Sequence, residues 1–324
     1  MTSITRRHAL ALGSGALLLP SAARAQAWPS GPVTFVVGYA AGGSTDINAR
    51  ELGQVMTPVI GQQIVIDNKG GAAGSIGLRA VAAAKPDGQT LFVAVGTNVI
   101  INPHVQKGMI DTVAVLAPVC QVTSYQYVLV VGNKVPAKNA AELVALAKKD
   151  PDKLTFSSSG VGGNNHLAGA LFADAAGIKI THVPYKGTGP ALADVISGVI
   201  TINFSSLPPA VGQVKGGNLR ALAVTGEKRI KSMPDVPTLK EQGIDVVVNG
   251  WHGLFAPAKT PDAILDKIEK DTKQAMKDPR WDQALAKDGL EMPPERTRAQ
   301  FAKFVADEHA FWGKKLKELK VEME

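Results

Sequence analysis

The chain has one cysteine in 324 residues. A lone thiol excludes an internal disulfide framework, and with none near the start there is nothing to carry a lipid, so Cys120 reads as a small buried apolar residue. The six histidines, His8, His104, His166, His182, His252 and His309, include no His-Glu-x-x-His pair and no close His/Cys cluster, which argues against a zinc site. No Gly-x-x-x-x-Gly-Lys-Ser/Thr phosphate loop and no Gly-x-Ser-x-Gly elbow occurs. No carboxylate pair stands out in the glycine-rich loops to serve general acid–base hydrolysis. Neither a metal nor a cofactor is expected. Long apolar runs are missing too: Ala9 to Leu19 is about half of the roughly 20 residues that a membrane-spanning helix needs.

That run has another use. Arg6 and Arg7 precede it, and small residues ending Ala23-Arg24-Ala25 follow, which is the pattern of a secretory signal peptide over residues 1–25. The expectation is an exported, periplasmic, unanchored monomer. Losing Arg6, Arg7 and Arg24 lowers the net charge from +7 to +4. The remaining charge is spread without a Lys/Arg block, which disfavours nucleic acid and suits small anions.

The mature length favours two domains. From Val33 onward, short apolar runs alternate with helix-period segments, the signature of βαβ units and a largely parallel sheet. Strands are expected at Val33–Val37, Ile64–Asp67 and Leu91–Val95, with helices at Asp46–Ile60 and Ser75–Ala83. A β-rich passage from Val113 to Val131 leads into a second set: helix Ala140–Lys149, strand Leu154–Ser157, helix His166–Ala176, strand Thr181–Val183, helix Pro190–Ser197 and strand Ile200–Phe204. After strand Ala221–Thr225, the turn-rich Met233–Pro237 reads as the return crossing. Three helices over 261–277, 279–288 and 297–319 close the chain. The expected fold is α/β with two lobes, 26–124 with 225–324 and 125–224, joined by crossing strands near Cys120–Tyr127 and Val224–Gly226.

Three loops carry the chemistry. Gly38-Tyr39-Ala40-Ala41-Gly42-Gly43-Ser44-Thr45-Asp46 joins a strand to a helix, so free N–H groups and the helix dipole make a ready carboxylate or phosphate site, with Asp46 placed to cap the helix. An ordinary βα turn is the plain alternative. Asn68 to Gly77, including Gly71 and Ala72, repeats the device, but Gly71, Gly74 and Gly77 do not make a Gly-x-Gly-x-x-Gly dinucleotide fingerprint. Ser157 to His166 offers hydroxyls and amides ahead of the second-lobe helix. A secreted serine hydrolase using Ser159 and His166 is the enzymatic alternative, against which the missing elbow counts. His166 reads as structural or as a hydrogen-bond donor. Aromatic candidates near the cleft are Tyr39, Tyr185, Phe204 and Trp251.

In their order and spacing, Gly42–Asp46, Asn68–Gly77, Pro86–Leu91, Ser158-Ser159-Gly160, His166–Gly169, His182–Gly187, Leu222–Gly226, Pro234–Thr238, Trp251 and Ala256-Pro257 resemble the tripartite tricarboxylate transporter substrate-binding family, the Bug-type receptors. The resemblance implies a type II-like periplasmic-binding-protein fold that closes on a small organic carboxylate and delivers it to a membrane permease without chemistry of its own. By the same resemblance, Gly42, Gly43, Ser44 and Thr45, then Ala72, Thr97 and Asn98, then Ser158, Ser159, Gly162, Asn164 and Tyr185 hold the ligand. Where many relatives carry acids, this chain has the neutral Asn203 and Ser205, which would not pair with a ligand ammonium. A dicarboxylate or aromatic carboxylate is therefore expected. A sensor that presents the same ligand to a membrane signalling partner has the same pocket and remains an alternative.

Overall fold

The apolar strand β1 (Val33–Val37) is paired on both edges, parallel to β2 (Ile64–Asn68) and to β3 (Thr90–Val95). This is the geometry that βαβ units impose, with α1 (Ser44–Ile60) and α2 (Ser75–Ala82) as the crossovers. The structure is a computed structural model that describes residues 28–318 except Ala40, Gly43, Ala72, Ala73, Gln106, Lys107, Met109, Asp152, Ser159–Gly162, Lys186 and Gly187. The expected signal peptide and the candidates Gly43, Ala72, Ser159 and Gly162 lie outside the described residues.

Three short helices, α3 (Gly96–Ile100), α4 (Asn102–Val105) and α5 (Thr112–Val115), lead into β4 (Leu116–Gly132). The expected β-rich passage from Val113 thus opens with a helical turn, because Asp111 accepts hydrogen bonds from the Val113 and Ala114 N–H groups and caps it. The rest of the passage is one strand of 17 residues.

The second set runs α6 (Ala140–Lys149), β5 (Thr155–Ser158), α7 (Asn164–Ala176), β6 (Thr181–Pro184), α8 (Thr188–Ser197), β7 (Ile202–Ser206), α9 (Leu207–Lys215) and β8 (Leu219–Val224). Helix α9 was not anticipated, since its paired prolines suggest a break. They fall in the first turn, where a missing N–H costs nothing. Strand β9 (Asn249–Pro257) and the helices α10 (Asp262–Ala275), α11 (Pro279–Asp288) and α12 (Arg298–Glu318) complete the chain.

β4 joins two halves. Its residues Leu116–Gln126 pair antiparallel with β9, which continues to β3, while Tyr127–Gly132 pair with β7 and β8. The strand order is β2-β1-β3-β9-β4-β7-β5-β6, with β8 also on β4. Each half buries apolar layers of its own. In the first, Phe35, Leu52, Leu254 and Trp281 pack together on one side and Phe92, Phe255, Phe301 and Trp312 on the other. In the second the layers are Leu129, Phe156, Phe172 and Phe204, and Val128, Val130, Leu192 and Leu219. This is the two-lobe α/β fold.

The return crossing comes later than the sequence suggests. Ile230 and Met233 pack with Val128 and Val130, while Leu239, Ile244, Val246 and Val248 pack with Tyr127 and Leu129, all in the second half. The turn-rich Met233–Pro237 is therefore a surface excursion of that half, anchored by the parallel bridge of Val224 to Thr238. The chain crosses at Asn249, into β9. That strand escapes a sequence search because Gly250 through Pro257 are all buried, which removes the alternation of a half-exposed strand. Its glycines are space for neighbours: a Cβ on Gly250 would fall 2.0 Å from the Tyr125 ring.

Candidate ligand cleft

The strand registers bring both sets of loops to one place. β1, β2 and β3 end at Val37, Asn68 and Val95, and Val95 is level with His252, itself level with Thr123 of β4. β5, β6 and β7 end at Ser158, Pro184 and Ser206, the last level with Tyr127 of β4. The carboxyl ends of the two strand sets thus face each other across Thr123–Tyr127, the position where open α/β sheets bind ligands. Helices α1, α2, α7 and α8 follow four of these strands, so their partially positive N-termini lie along the same edge.

In the first lobe the two glycine-rich loops touch backbone to backbone. A Cβ on Gly38 would lie 2.8 Å from Gly74 Cα, and one on Gly77 would lie 2.9 Å from Gly38 Cα. Gly74 also needs its φ of 93°, in the left-handed region. Over it lies Asn98, whose Nδ2 donates to Tyr39 Oη at 2.7 Å while its Oδ1 accepts the Val95 N–H at 3.3 Å. Burial pushes the Tyr39 phenol above its ordinary pKa, against hydrogen bonds from Asn98 and Thr97. Asn68 Nδ2 donates to the Tyr39 carbonyl at 3.1 Å and ties the loops together.

Asp46 belongs to this scaffold. Helix α1 begins two residues before it, so Asp46 does not occupy the cap position; its carboxylate reaches back to accept the Gly42 N–H at 2.8 Å and pairs with Arg50 at 2.9 and 3.1 Å. Burial alone would raise its pKa, but hydrogen bonds from Arg50, Gly42 and Asn68 and the Arg50 charge together hold it below the usual carboxylate range. Asp46 and the Gly42 N–H are thereby committed to holding the loop. Thr45, Thr97 and Asn98 are buried beside it, Ser44 opens α1, and Gly71 bends the second loop, its carbonyl accepting the Gly74 N–H.

In the second lobe, Ser158 Oγ is hydrogen bonded to His182 Nε2 at 2.7 Å. The His182 ring stacks on His166, with centroids 3.8 Å apart and planes 15° from parallel, and Phe156 closes the stack 4.9 Å from His182. Burial takes both imidazoles down to about 4, aided at His166 by the electrostatic influence of His182, so both are neutral at pH 7. Burial pushes the Tyr125 phenol up to about 12 and raises that of Tyr127, with Asn164, at the start of α7, acting in the opposite direction on both.

Three expected ligand groups have other partners. Tyr185 donates its hydroxyl proton to Asp194 at 2.5 Å, which with burial raises its pKa to about 12. Asn203 donates to the carbonyl and hydroxyl of Ser157 at 3.0 and 2.9 Å. Ser205, also buried, donates to the Ser206 carbonyl at 2.9 Å. Phe204 and Trp251 sit in the two cores.

Tyr125 and Tyr127, together with the Thr123–His252 pair, were not singled out from sequence. The Thr123 hydroxyl accepts the His252 backbone N–H at 3.2 Å and is bonded to its Nδ1 at 2.7 Å. A signal existed: Thr123-Ser124-Tyr125-Gln126-Tyr127 is a polar stretch in a strand whose other residues, Gln121 apart, are apolar. Such polarity in a strand centre needs partners, and these are found at the junction of the lobes.

The arrangement offers N–H, hydroxyl and amide donors. Among the described residues there is no metal-binding cluster of His, Cys, Asp and Glu, and no helix is long and apolar enough to cross a membrane.

Comparison with known proteins agrees with this geometry. Residues 48–321 match the model of the tripartite tricarboxylate transporter family receptor. A UPF0065 protein in the TAR-I ttuE-ttuC' intergenic region of Agrobacterium vitis is 40% identical over 270 residues, 82% of this chain and 77% of that protein. A solved periplasmic transporter is 36% identical with a TM-score of 0.80, over 92% of this chain and 100% of the other. An R. palustris protein solved with adipate is 30% identical with a TM-score of 0.80, over 91% and 99%. With so much of the chain matched, it belongs to the tripartite tricarboxylate transporter family of solute-binding receptors.

Proposed function

We propose that this protein is a periplasmic receptor, exported by a leader over residues 1–25, that captures a dicarboxylate or an aromatic carboxylate between its lobes for a tripartite tricarboxylate-type permease, with no catalysis of its own. The observation that carries this reading is the backbone contact of Gly38 with Gly74 and Gly77 beneath Tyr39 and Asn98. It sets two βα loops and their helix N-termini at one point, which is an anion-binding arrangement. The adipate bound to the R. palustris relative supports a dicarboxylate.

The charges narrow the class. Asp46 is paired with Arg50 and Asp194 accepts the Tyr185 proton, so neither is available to a ligand ammonium, whose burial without a counter-charge is costly. We also assign residues 28–125 with 249–318 to the first lobe and 126–248 to the second, following the cores that each segment fills.

A thermal-shift screen against carboxylates with and without an amino group tests the reading. A ligand at about 100 times its Kd adds roughly 2.7 kcal/mol of stability. Stabilisation by simple dicarboxylates or aromatic acids is expected; tight binding of an amino acid with no response to these acids would reject the assignment.

A further inference from the structure

One helix serves both lobes. α7 rests on the second sheet, where Ala168 and Phe172 pack with Phe156 and Phe204, and its first turn carries Asn164 and His166 at the cleft. Yet Leu167, next to His166, is fully buried in the core of the first lobe, with Trp251, Phe301, Val305, Trp312 and Leu316. Leu171, one turn on, touches both cores. Asp174 continues that stripe at helical spacing and accepts a hydrogen bond from Lys315 Nζ of α12 at 3.0 Å. The stripe Leu167-Leu171-Asp174 is a seam between lobes, and it begins beside the cleft.

We infer that Leu167 is a positioning residue for ligand capture, its seat in the first lobe's core holding the lobes together so that it strengthens binding without touching the ligand. Turning the lobes apart about Thr123–Tyr127 withdraws this side chain from among the first lobe's aromatic rings. Burial of a leucine favours the closed population by about ten- to a hundred-fold, and apparent affinity scales with that population. The Lys315–Asp174 pair is partly exposed and adds a smaller, salt-screened contribution.

The inference rests on the receptor reading, so its test has an arm that needs no ligand. For Leu167→Ala, small-angle scattering of the empty protein should show a larger radius of gyration than wild type. Affinity for whichever carboxylate stabilises wild type should fall about ten- to a hundred-fold, through faster dissociation. Leu167→Met, which conserves volume, should lie close to wild type in both. A seam that moves also predicts that Asp174→Cys/Lys315→Cys, joined by a short thiol crosslinker, exchanges ligand more slowly than the reduced form; the native Cys120 is buried and does not compete. Folded Leu167→Ala with wild-type scattering, or a crosslinked protein that exchanges ligand at the reduced rate, overturns the inference. If no carboxylate binds wild type, the receptor reading fails while scattering still decides the role of Leu167.

Discussion

Asn98 and Tyr39, 59 positions apart in sequence, meet through a 2.7 Å hydrogen bond directly above the left-handed Gly74. The bond joins the end of β3 to the loop after β1, so it fixes the shape of the first-lobe half of the cleft. In Asn98→Ala the Tyr39 hydroxyl and the Val95 N–H each lose a hydrogen bond, a cost of about 1–3 kcal/mol. Urea unfolding should register that loss, and carboxylate affinity should drop at least about ten-fold, since the loop donors must be held in place to bind. Wild-type affinity in a folded Asn98→Ala protein would remove Asn98 from the site.

Gly74→Ala tests the close approach of the loops. The left-handed φ of 93° alone costs an alanine about 1–2 kcal/mol, and its Cβ would fall 2.5 Å from Asn98 Nδ2. Gly42 also has a positive φ, of 83°, but nothing lies near its missing Cβ. Gly42→Ala should therefore cost only the backbone strain, and Gly74→Ala should be the more damaging for both melting temperature and binding. Equal effects would mean that the contact with Asn98 carries no weight.

Much of this was legible in the sequence, for a physical reason. Strands β1, β2, β3 and β5 and helices α1, α2, α6 and α7 alternate in apolar runs of the right period, and glycines mark where the chain must turn tightly after a strand. The meeting of two glycine loops followed from their repeated position. What was hidden depends on contacts distant in sequence. From sequence, nothing shows that the Tyr185 hydroxyl donates to Asp194 or that the Asn203 amide donates to Ser157. The polar centre of β4 lies within the crossing expected near Cys120–Tyr127, but its partner His252 is distant in sequence. Residues 230–248 are turn-rich, and only their burial against β4 assigns them to the second lobe.

Tyr185→Phe tests whether that hydroxyl also serves the ligand. The substitution removes a hydroxyl whose proton goes to Asp194, so it should lower stability slightly and leave carboxylate affinity within about two-fold, well under 1.4 kcal/mol. Calorimetric titration of the variant decides it. A ten-fold loss would return Tyr185 to the ligand's contacts.

Acid should loosen this protein from about pH 6.5 downward. His166, His182 and His252 are each lowered from an ordinary 6.5 to about 4, chiefly by burial. A base whose folded pKa is depressed binds its proton better in the unfolded chain. The stability from keeping these rings neutral is therefore fully present above pH 6.5 and is lost progressively as pH falls from 6.5 towards 4. Three rings titrating together give a steep slope over that window. The urea midpoint should fall between pH 6.5 and 4, while the imidazole proton shifts of these three residues in the folded protein stay flat from pH 7 to about 5. Replacing His252, fully buried beside Thr123, with Phe should flatten the slope by about one proton's worth, close to 1.4 kcal/mol per pH unit. His166→Phe keeps a flat ring on His182 and should flatten it as well, so a slope indifferent to both substitutions would place the acid sensitivity elsewhere.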